Sequence, residues 1–377
     1  MQYVYQPLKF VREGDEIRII NRDQFTSPDE YEITLDTIRH GSETLLNVSA
    51  RLKEDKPWAP RGFVVAREQF VLRFHQFSTR MPGTPAESRQ EDGGVSVQMA
   101  NGTVFIDNTG AMTSWRVNGQ EMLQAPLEPY FWKPENDNQG AANFARRVGA
   151  WQDAARNRTT HAIRTEVNDS TLNVIYDLSL PVGADLRLAY AFNSDGRIKV
   201  DMDYRPTAAD IPLMPKFGMR MRLPADYTDI HYYGRGPWEN YPDRKRSAFL
   251  GEYRMSLADY MTEYIHPQDN ANRSDIRWFS LSPSRQQQGR QTLNIEGCQP
   301  LCIRAWDYGE EALGVGHPHE LRRGDFVNLN IDLSVHGVGG TDTWGKRTLP
   351  QYTIDGNQPH HYSFFLTATP RFTAPGR

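Results

Sequence analysis

The sequence predicts an all-β chain of two domains, a small sandwich followed by a much larger antiparallel one. Three observations carry that expectation. Apolar and polar residues alternate with the two-residue period of a half-buried strand along residues 16–20, 31–35, 45–52 and 63–74. Asn101-Gly102 and Asn118-Gly119 fall between short alternating runs, as they do in hairpins. At 377 residues the chain exceeds one ordinary domain, and Gly, Pro and charge interrupt it at 81–94, MPGTPAESRQEDGG.

The elements follow in order. The opening MQYVYQPLKF already reads as strand. With the four runs above it makes a first domain, 1–80, of immunoglobulin size or less. Pro57-Trp58-Ala59-Pro60-Arg61-Gly62 is its last turn. Residues 81–94 are the expected linker, and 95–377 the large sandwich. Its strands lie near 95–99, 103–107, 114–117, 162–167, 171–180, 185–192, 198–204 and 217–223, continuing to 362–367. Only 143–156 and 256–263 read as helix, and no repeat of fixed period is present.

Composition narrows the function. Lys+Arg number 43 against Asp+Glu 47, a net charge of −4, so neither nucleic acid nor an anionic membrane is an expected partner. Tyr 17, Phe 17 and Trp 8 suit either stacking on sugar faces or aromatic strand cores. Cys298 and Cys302 are four apart. A disulfide is conceivable, but on one strand that spacing separates them by about 13 Å, an awkward reach. Both read as ordinary thiols, because no further zinc ligands accompany them. There is no long apolar run and no signal-peptide pattern.

Three stretches could carry chemistry. Residues 232–246, YYGRGPWENYPDRKR, leave a strand, turn at Gly-Pro and gather Trp238, Tyr241 and charge. Residues 130–140, YFWKPENDNQG, join an aromatic strand end to amides and carboxylates. Asn136, Asp137 and Asn138 could clasp sugar hydroxyls or a cation, or close an Asx turn on their own backbone. Residues 336–345, HGVGGTDTWG, deliver Trp344 at a glycine-rich loop tip. No GK[ST] follows, so a phosphate loop is not indicated. His317-Pro318-His319-Glu320 lacks a further ligand and reads as surface. Glu296, Asp307, Glu310 and Glu311 are scattered acids with no reason to pair.

These stretches carry a family resemblance. GxGPxENYPDR, then Leu257-Ala258-Asp259-Tyr260 and Tyr264-Ile265-His266-Pro267-Gln268-Asp269-Asn270, resembles the last domain of the large family 2 β-galactosidases. Residues 130–140 resemble that family's FWRAPTDNDxG loop, with TDND replaced by Glu135-Asn136-Asp137-Asn138, and 336–345 resemble its MGxGGxDSW. Tyr5-Gln6-Pro7, the Trp58-Ala59 turn and Arg67-Glu68-Gln69-Phe70 resemble its preceding immunoglobulin-like domain, about two strands short before Tyr31.

The resemblance implies a small immunoglobulin-like sandwich and a large sandwich of the galactose-mutarotase type. It implies substrate contacts from Trp344, Asn136, Asp137 and Asn138, with Trp344 as an apolar wall for the sugar. A retaining galactosidase needs two carboxylates about 5 Å apart. In the family both sit on a TIM barrel, and no alternating β/α pattern occurs here. No catalytic residue and no cofactor is therefore expected in this chain; a Mg or Na ion would belong to the barrel. The expected partners are a TIM-barrel catalytic domain or large subunit, and galactosides such as lactose. The chain reads as the non-catalytic C-terminal portion, either cut from a longer enzyme or a natural small subunit. Bacterial cytoplasm and periplasm both fit. The alternatives are an independent carbohydrate-binding module and a mutarotase-like sugar enzyme, for which no His/Glu acid–base pair stands out.

Overall fold

The computed structural model describes residues 3–284, 290–342 and 344–370. It divides into two compact units, Met1–Ser78 and Thr79–Arg377. In the first, β1 (Leu8–Glu13) and β2 (Glu16–Asn21) form one hairpin. A second sheet holds β3 (Tyr31–His40), β4 (Glu43–Leu52) and β5 (Val64–Arg73). The strand expected at the very start begins only at Leu8. The side chain of Gln6, just before it, caps the edge of β5 by accepting from Arg67 N at 3.1 Å. Leu8 and Phe10 share one core with Tyr31, Val48, Ala50, Leu52 and Val65. This is an all-β unit of five described strands, smaller than a full immunoglobulin sandwich.

The second unit corrects the expected boundary. The proposed linker, 81–94, contains β6 (Glu87–Glu91), which pairs with β7 (Gly94–Met99). Its polar side chains are those of an exposed edge strand, which composition cannot distinguish from a linker. The sheet continues through β8 (Gly102–Asp107), β9 (Met112–Val117), β10 (Gln120–Glu121) and β11 (Ala125–Pro129). Then follow β12 (Thr159–Val167), β13 (Leu172–Leu180), β14 (Ala184–Phe192), β15 (Ile198–Pro206), β16 (Lys216–Pro224) and β17 (Tyr227–Gly236). It ends with β18 (Phe249–Ser256), β19 (Arg273–Pro283), β20 (Gln291–Trp306), β21 (Phe326–Val335) and β22 (His360–Pro370). All pair antiparallel, in one strongly curled sheet.

The expected helix at 143–156 is shorter than its pattern. Only α1 (Asp137–Ala141) and α2 (Phe144–Val148) form, followed by a 3-10 turn at Gly149–Trp151. Trp151 stops the run because it is drawn into the core, stacking edge-on against Phe131 and donating from Nε1 to Pro212 O at 3.1 Å. The second expected helix shrinks to α3 (Leu257–Tyr260), started by Ser256 accepting from Asp259 N. Asn118-Gly119 does turn β9 into β10, whereas the β7–β8 turn is Ala100-Asn101, with Gly102 already in the strand. Both cysteines are free, and burial pushes the Cys302 thiol up to about 12.

The part that matters for function is the run β11–β16–β21–β20. One face is apolar, with Met219, Met221, Leu329 and Ile331 in the main core. On the other face polar residues line up across strands. Arg220 pairs with Asn330, which pairs on its other side with Arg304; Gly218 pairs with Asp332, which pairs on its other side with Cys302. Gly218 is required there, because a Cβ would lie 2.0 Å from Asp332 Oδ1 and 2.6 Å from its Cα. Gly218→Ala should cost about 1–3 kcal/mol, the range for overpacking. Gly149→Ala, at φ −58° with open space around it, should be neutral or stabilising by up to about 1 kcal/mol. Chemical denaturation midpoints of the two variants check the contrast.

Candidate functional site

The site is built from loops standing on the polar face. As the chain leaves β11, Phe131 is locked between the Trp151 and Phe217 rings, so the next residue pair is fixed in direction. Lys133 then turns inward and is fully buried. Its Nζ donates to Pro134 O at 2.9 Å, Gln139 Oε1 at 2.7 Å and Asp269 Oδ2 at 3.1 Å.

Asn136 forms a capping box with Gln139: its Oδ1 accepts from Gln139 N at 3.0 Å, and Gln139 Oε1 accepts from Asn136 N at 3.3 Å. Asn136 is buried and its Oδ1 is committed to the helix start, so it is not a surface contact of the kind expected. Asp137 and Asn138 face outward. Asp137 accepts from Gln268 Nε2 at 2.9 Å and pairs with His266 Nδ1 at 2.6 Å. The His266 hydrogen bond is the main reason its carboxyl lies below the usual range.

The 336–345 loop is pinned from two sides. Asp243 accepts from Val338 N at 3.1 Å and Gly339 N at 2.8 Å. Gln139 Nε2 donates to Gly337 O at 2.9 Å. Gly339 and Gly340 take φ of +77° and +88°, a conformation L side chains rarely adopt. A Cβ on Gly340 would be 2.7 Å from Asn138 Nδ2, and one on Gly345 would be 2.5 Å from Ala141 O. The loop thus lies directly against α1. Asp342 Oδ1 accepts from Trp344 N at 2.9 Å and Lys346 N at 3.1 Å, closing the tip. Trp344 is 91% exposed.

The 232–246 stretch works as a clamp. Besides Asp243, Tyr241 donates to Asp269 Oδ2 at 3.0 Å, and Glu239 accepts from Ala271 N at 2.9 Å and from the Tyr264 hydroxyl. Asn240 Oδ1 accepts from Ser274 N at 2.9 Å. It therefore ties the 264–274 segment and the Trp344 loop to one frame.

Beneath these loops lies a cluster that sequence reasoning did not find. Arg304 Nη1 donates to Asp269 Oδ1 at 2.6 Å, and its Nη2 reaches Asp332 Oδ2 at 3.3 Å and Glu310 Oε1 at 3.4 Å. Lys216 Nζ donates to Asp332 Oδ1 at 2.8 Å. With Lys133 this makes three cations and three carboxylates, all buried. Burial works against the Asp269 carboxylate, but Lys133 and Arg304 outweigh it and hold its pKa below the ordinary value. Burial wins at Glu310 and Asp332, whose pKa values are raised. A sequence signal existed: Asn328, Asn330 and Asp332 alternate on one strand, a polar stripe opposite an apolar one.

The remaining expectations on site chemistry concern metals. His317 and His319 are exposed and stack on each other at 5.5 Å. Among the described residues, no group of three or more His, Cys, Asp or Glu is arranged to hold a metal ion.

With this geometry in view, the comparisons are decisive for the family. The family described as Beta galactosidase small chain matches residues 99–366. The chain belongs to that family. The match includes α1, the 264–274 segment and the Trp344 loop. A second family, Beta-galactosidase, domain 4, matches residues 27–73 in the first unit. Among curated proteins, the chain is 30% identical over 334 residues to a Beta-galactosidase of Priestia megaterium, covering 86% of this chain and 31% of that protein. It is 30% identical over 324 residues to a Beta-galactosidase of Lactobacillus delbrueckii subsp. bulgaricus, covering 84% and 31%. The chain thus spans about a third of the length of these relatives, 31% in both cases. Among solved structures, it is similar to a galactose 1-epimerase from Lactobacillus acidophilus NCFM, at 10% identity and TM-score 0.42, covering 78% of this chain and 98% of that one.

His336 gives the site a measurable pH response. It is 2% exposed and stacks on Phe144 at 4.8 Å; burial, and then Lys133, lower its pKa to about 3. In the unfolded chain it protonates near its ordinary 6.5. Its contribution to stability is therefore complete above about pH 6.5 and is lost as pH falls towards 3, by up to about 1.4 kcal/mol per pH unit. His336→Gln should flatten the stability–pH curve of the second unit in that window. Denaturation midpoints between pH 7 and pH 4, as roughly bracketed by that linkage, give the comparison.

Proposed function

We propose that this chain is the non-catalytic C-terminal portion of a retaining β-galactosidase. Its loop surface shapes the galactoside pocket of a TIM-barrel domain carried elsewhere, and Trp344 supplies an apolar wall for the sugar ring, with Asp137 and Asn138 as polar rim and Asn136 as their support. The observation that carries this reading is an indole 91% exposed on a loop that is itself held from both sides. An exposed tryptophan on a floppy loop would be unremarkable. One on a fixed loop, next to outward-facing Asp137 and Asn138, offers a stacking face with a defined position.

The carboxylates support the same reading. A retaining glycosidase uses one carboxyl group as nucleophile and another as acid/base, both open to substrate. Asp269 and Asp332 are buried and paired to Arg304 and to a lysine. The family relatives, about three times as long, have room for a separate catalytic domain.

Two measurements test the proposal. The isolated chain should not hydrolyse a chromogenic galactoside, and activity that copurifies with it after removal of host galactosidase would overturn the reading. Trp344→Ala should leave the chain's stability within about 0.5 kcal/mol of the parent, the surface norm. In an enzyme that includes the barrel it should lower galactoside affinity and turnover together. A stability loss of about 3–5 kcal/mol, as for buried aromatics, would assign Trp344 to this unit's own packing.

A further inference from the structure

The second unit has a concave site apart from the Trp344 loop. A cleft of about 550 Å³ opens over β11 and β16 on the polar face. Tyr130 and Trp132 form part of its wall, with Arg220, Arg222, Glu128 and Glu310. The Arg220 guanidinium stacks over the Tyr130 ring at 4.0 Å and donates to Glu128 Oε1 at 3.1 Å. Arg222 stacks over Phe326 at 4.0 Å and pairs with Glu311.

Glu310 is the unusual member. It is 3% exposed. Its Oε1 accepts from Asn330 Nδ2 at 2.8 Å and lies 3.4 Å from Arg304 Nη2. Its Oε2 is buried and makes no hydrogen bond of good geometry among the described residues, the Tyr130 hydroxyl lying beside the carboxyl. A buried carboxyl oxygen left without a good partner loses its hydration without replacement. In a residue that lines a cleft, a ligand hydroxyl would remove that cost.

We infer that this cleft is a binding site for an uncharged pyranose sugar, separate from the Trp344 surface. Charge selects the ligand class. An anion would meet Glu128, Glu310 and Glu311; a cation would meet Arg220 and Arg222. The arginines are already paired with carboxylates, so the cleft presents fixed donors and acceptors side by side with little net field. That suits hydroxyl groups, each of which donates and accepts. Trp132 suits the apolar face of a sugar ring. The volume lies within the range of small-molecule sites and exceeds what one hexose needs.

Binding is read by titration calorimetry on the 377-residue chain, with lactose and galactose as ligands and glycerol and inorganic phosphate as controls. A saturable signal with sugar, at a dissociation constant of about millimolar, and none with the controls, is the expected result. Glu310→Gln and Trp132→Ala should each weaken that binding roughly tenfold, as for one lost charge-assisted hydrogen bond or stacking face, whereas Trp344→Ala should leave it unchanged. A chain that binds neither sugar, or that binds phosphate or glycerol equally, overturns the inference. So does sugar binding that Glu310→Gln and Trp132→Ala both leave unchanged. Should Glu310→Gln not fold, titration of the unaltered chain and of Trp132→Ala decides the matter.

Discussion

Arg304 holds three carboxylates that come from three different places in the chain. Asp269 lies on the segment after α3, Glu310 on the turn after β20, and Asp332 on β21, with Lys133 and Lys216 completing the balance. Taking each ion out of water costs several kcal/mol, and only mutual pairing at good geometry offsets it. A displaced partner leaves a buried charge uncompensated, at about 3–5 kcal/mol. The cluster therefore sets the loops above it to within hydrogen-bond tolerance.

Its influence reaches the surface through short, complete paths. Lys133 holds Gln139, Gln139 holds Gly337 O, and the same side chain closes the capping box that starts α1. Tyr241 joins Asp269 to the stretch whose Asp243 grips the Trp344 loop. Each link is a buried or half-buried side chain with its polar atoms used. Trp344 is left exposed at the end of a chain of fixed groups, which is what positioning a contact for a second body requires.

The all-β class and most strand positions were legible in the sequence because the two-residue alternation of a half-buried sheet is a local signal. Two kinds of feature were not. Polar edge strands such as β6 have no apolar face to alternate, so the stretch at 81–94 read as a linker. Charged residues that neutralise each other from positions as distant as Lys133 and Asp269 show no local pattern at all. Asp269 and Lys133 were each quoted in a motif, yet their pairing is a fact of topology. For Asn136 the sequence offered both readings, a self-satisfied turn or a ligand contact, and the capping geometry favours the first. Glu310 looked like one scattered acid of four, because the poorly partnered oxygen that distinguishes it depends on what surrounds it in space.

The neutral balance of the cluster also bears on what the loops can recognise. Three cations against three carboxylates leave no strong field at the surface above them, so discrimination there must come from shape, stacking and short-range hydrogen bonds. Under the proposed function, Trp344, Asn138 and the paired Asp137 would provide those. The same holds at the cleft over β11 and β16, where each arginine already faces a carboxylate. Both places have given up long-range attraction for charged ligands. An uncharged, many-hydroxylled ring is the kind of molecule that loses nothing by this, since it is held by contact alone, and a framework of buried ion pairs is an effective way to keep such contacts in register.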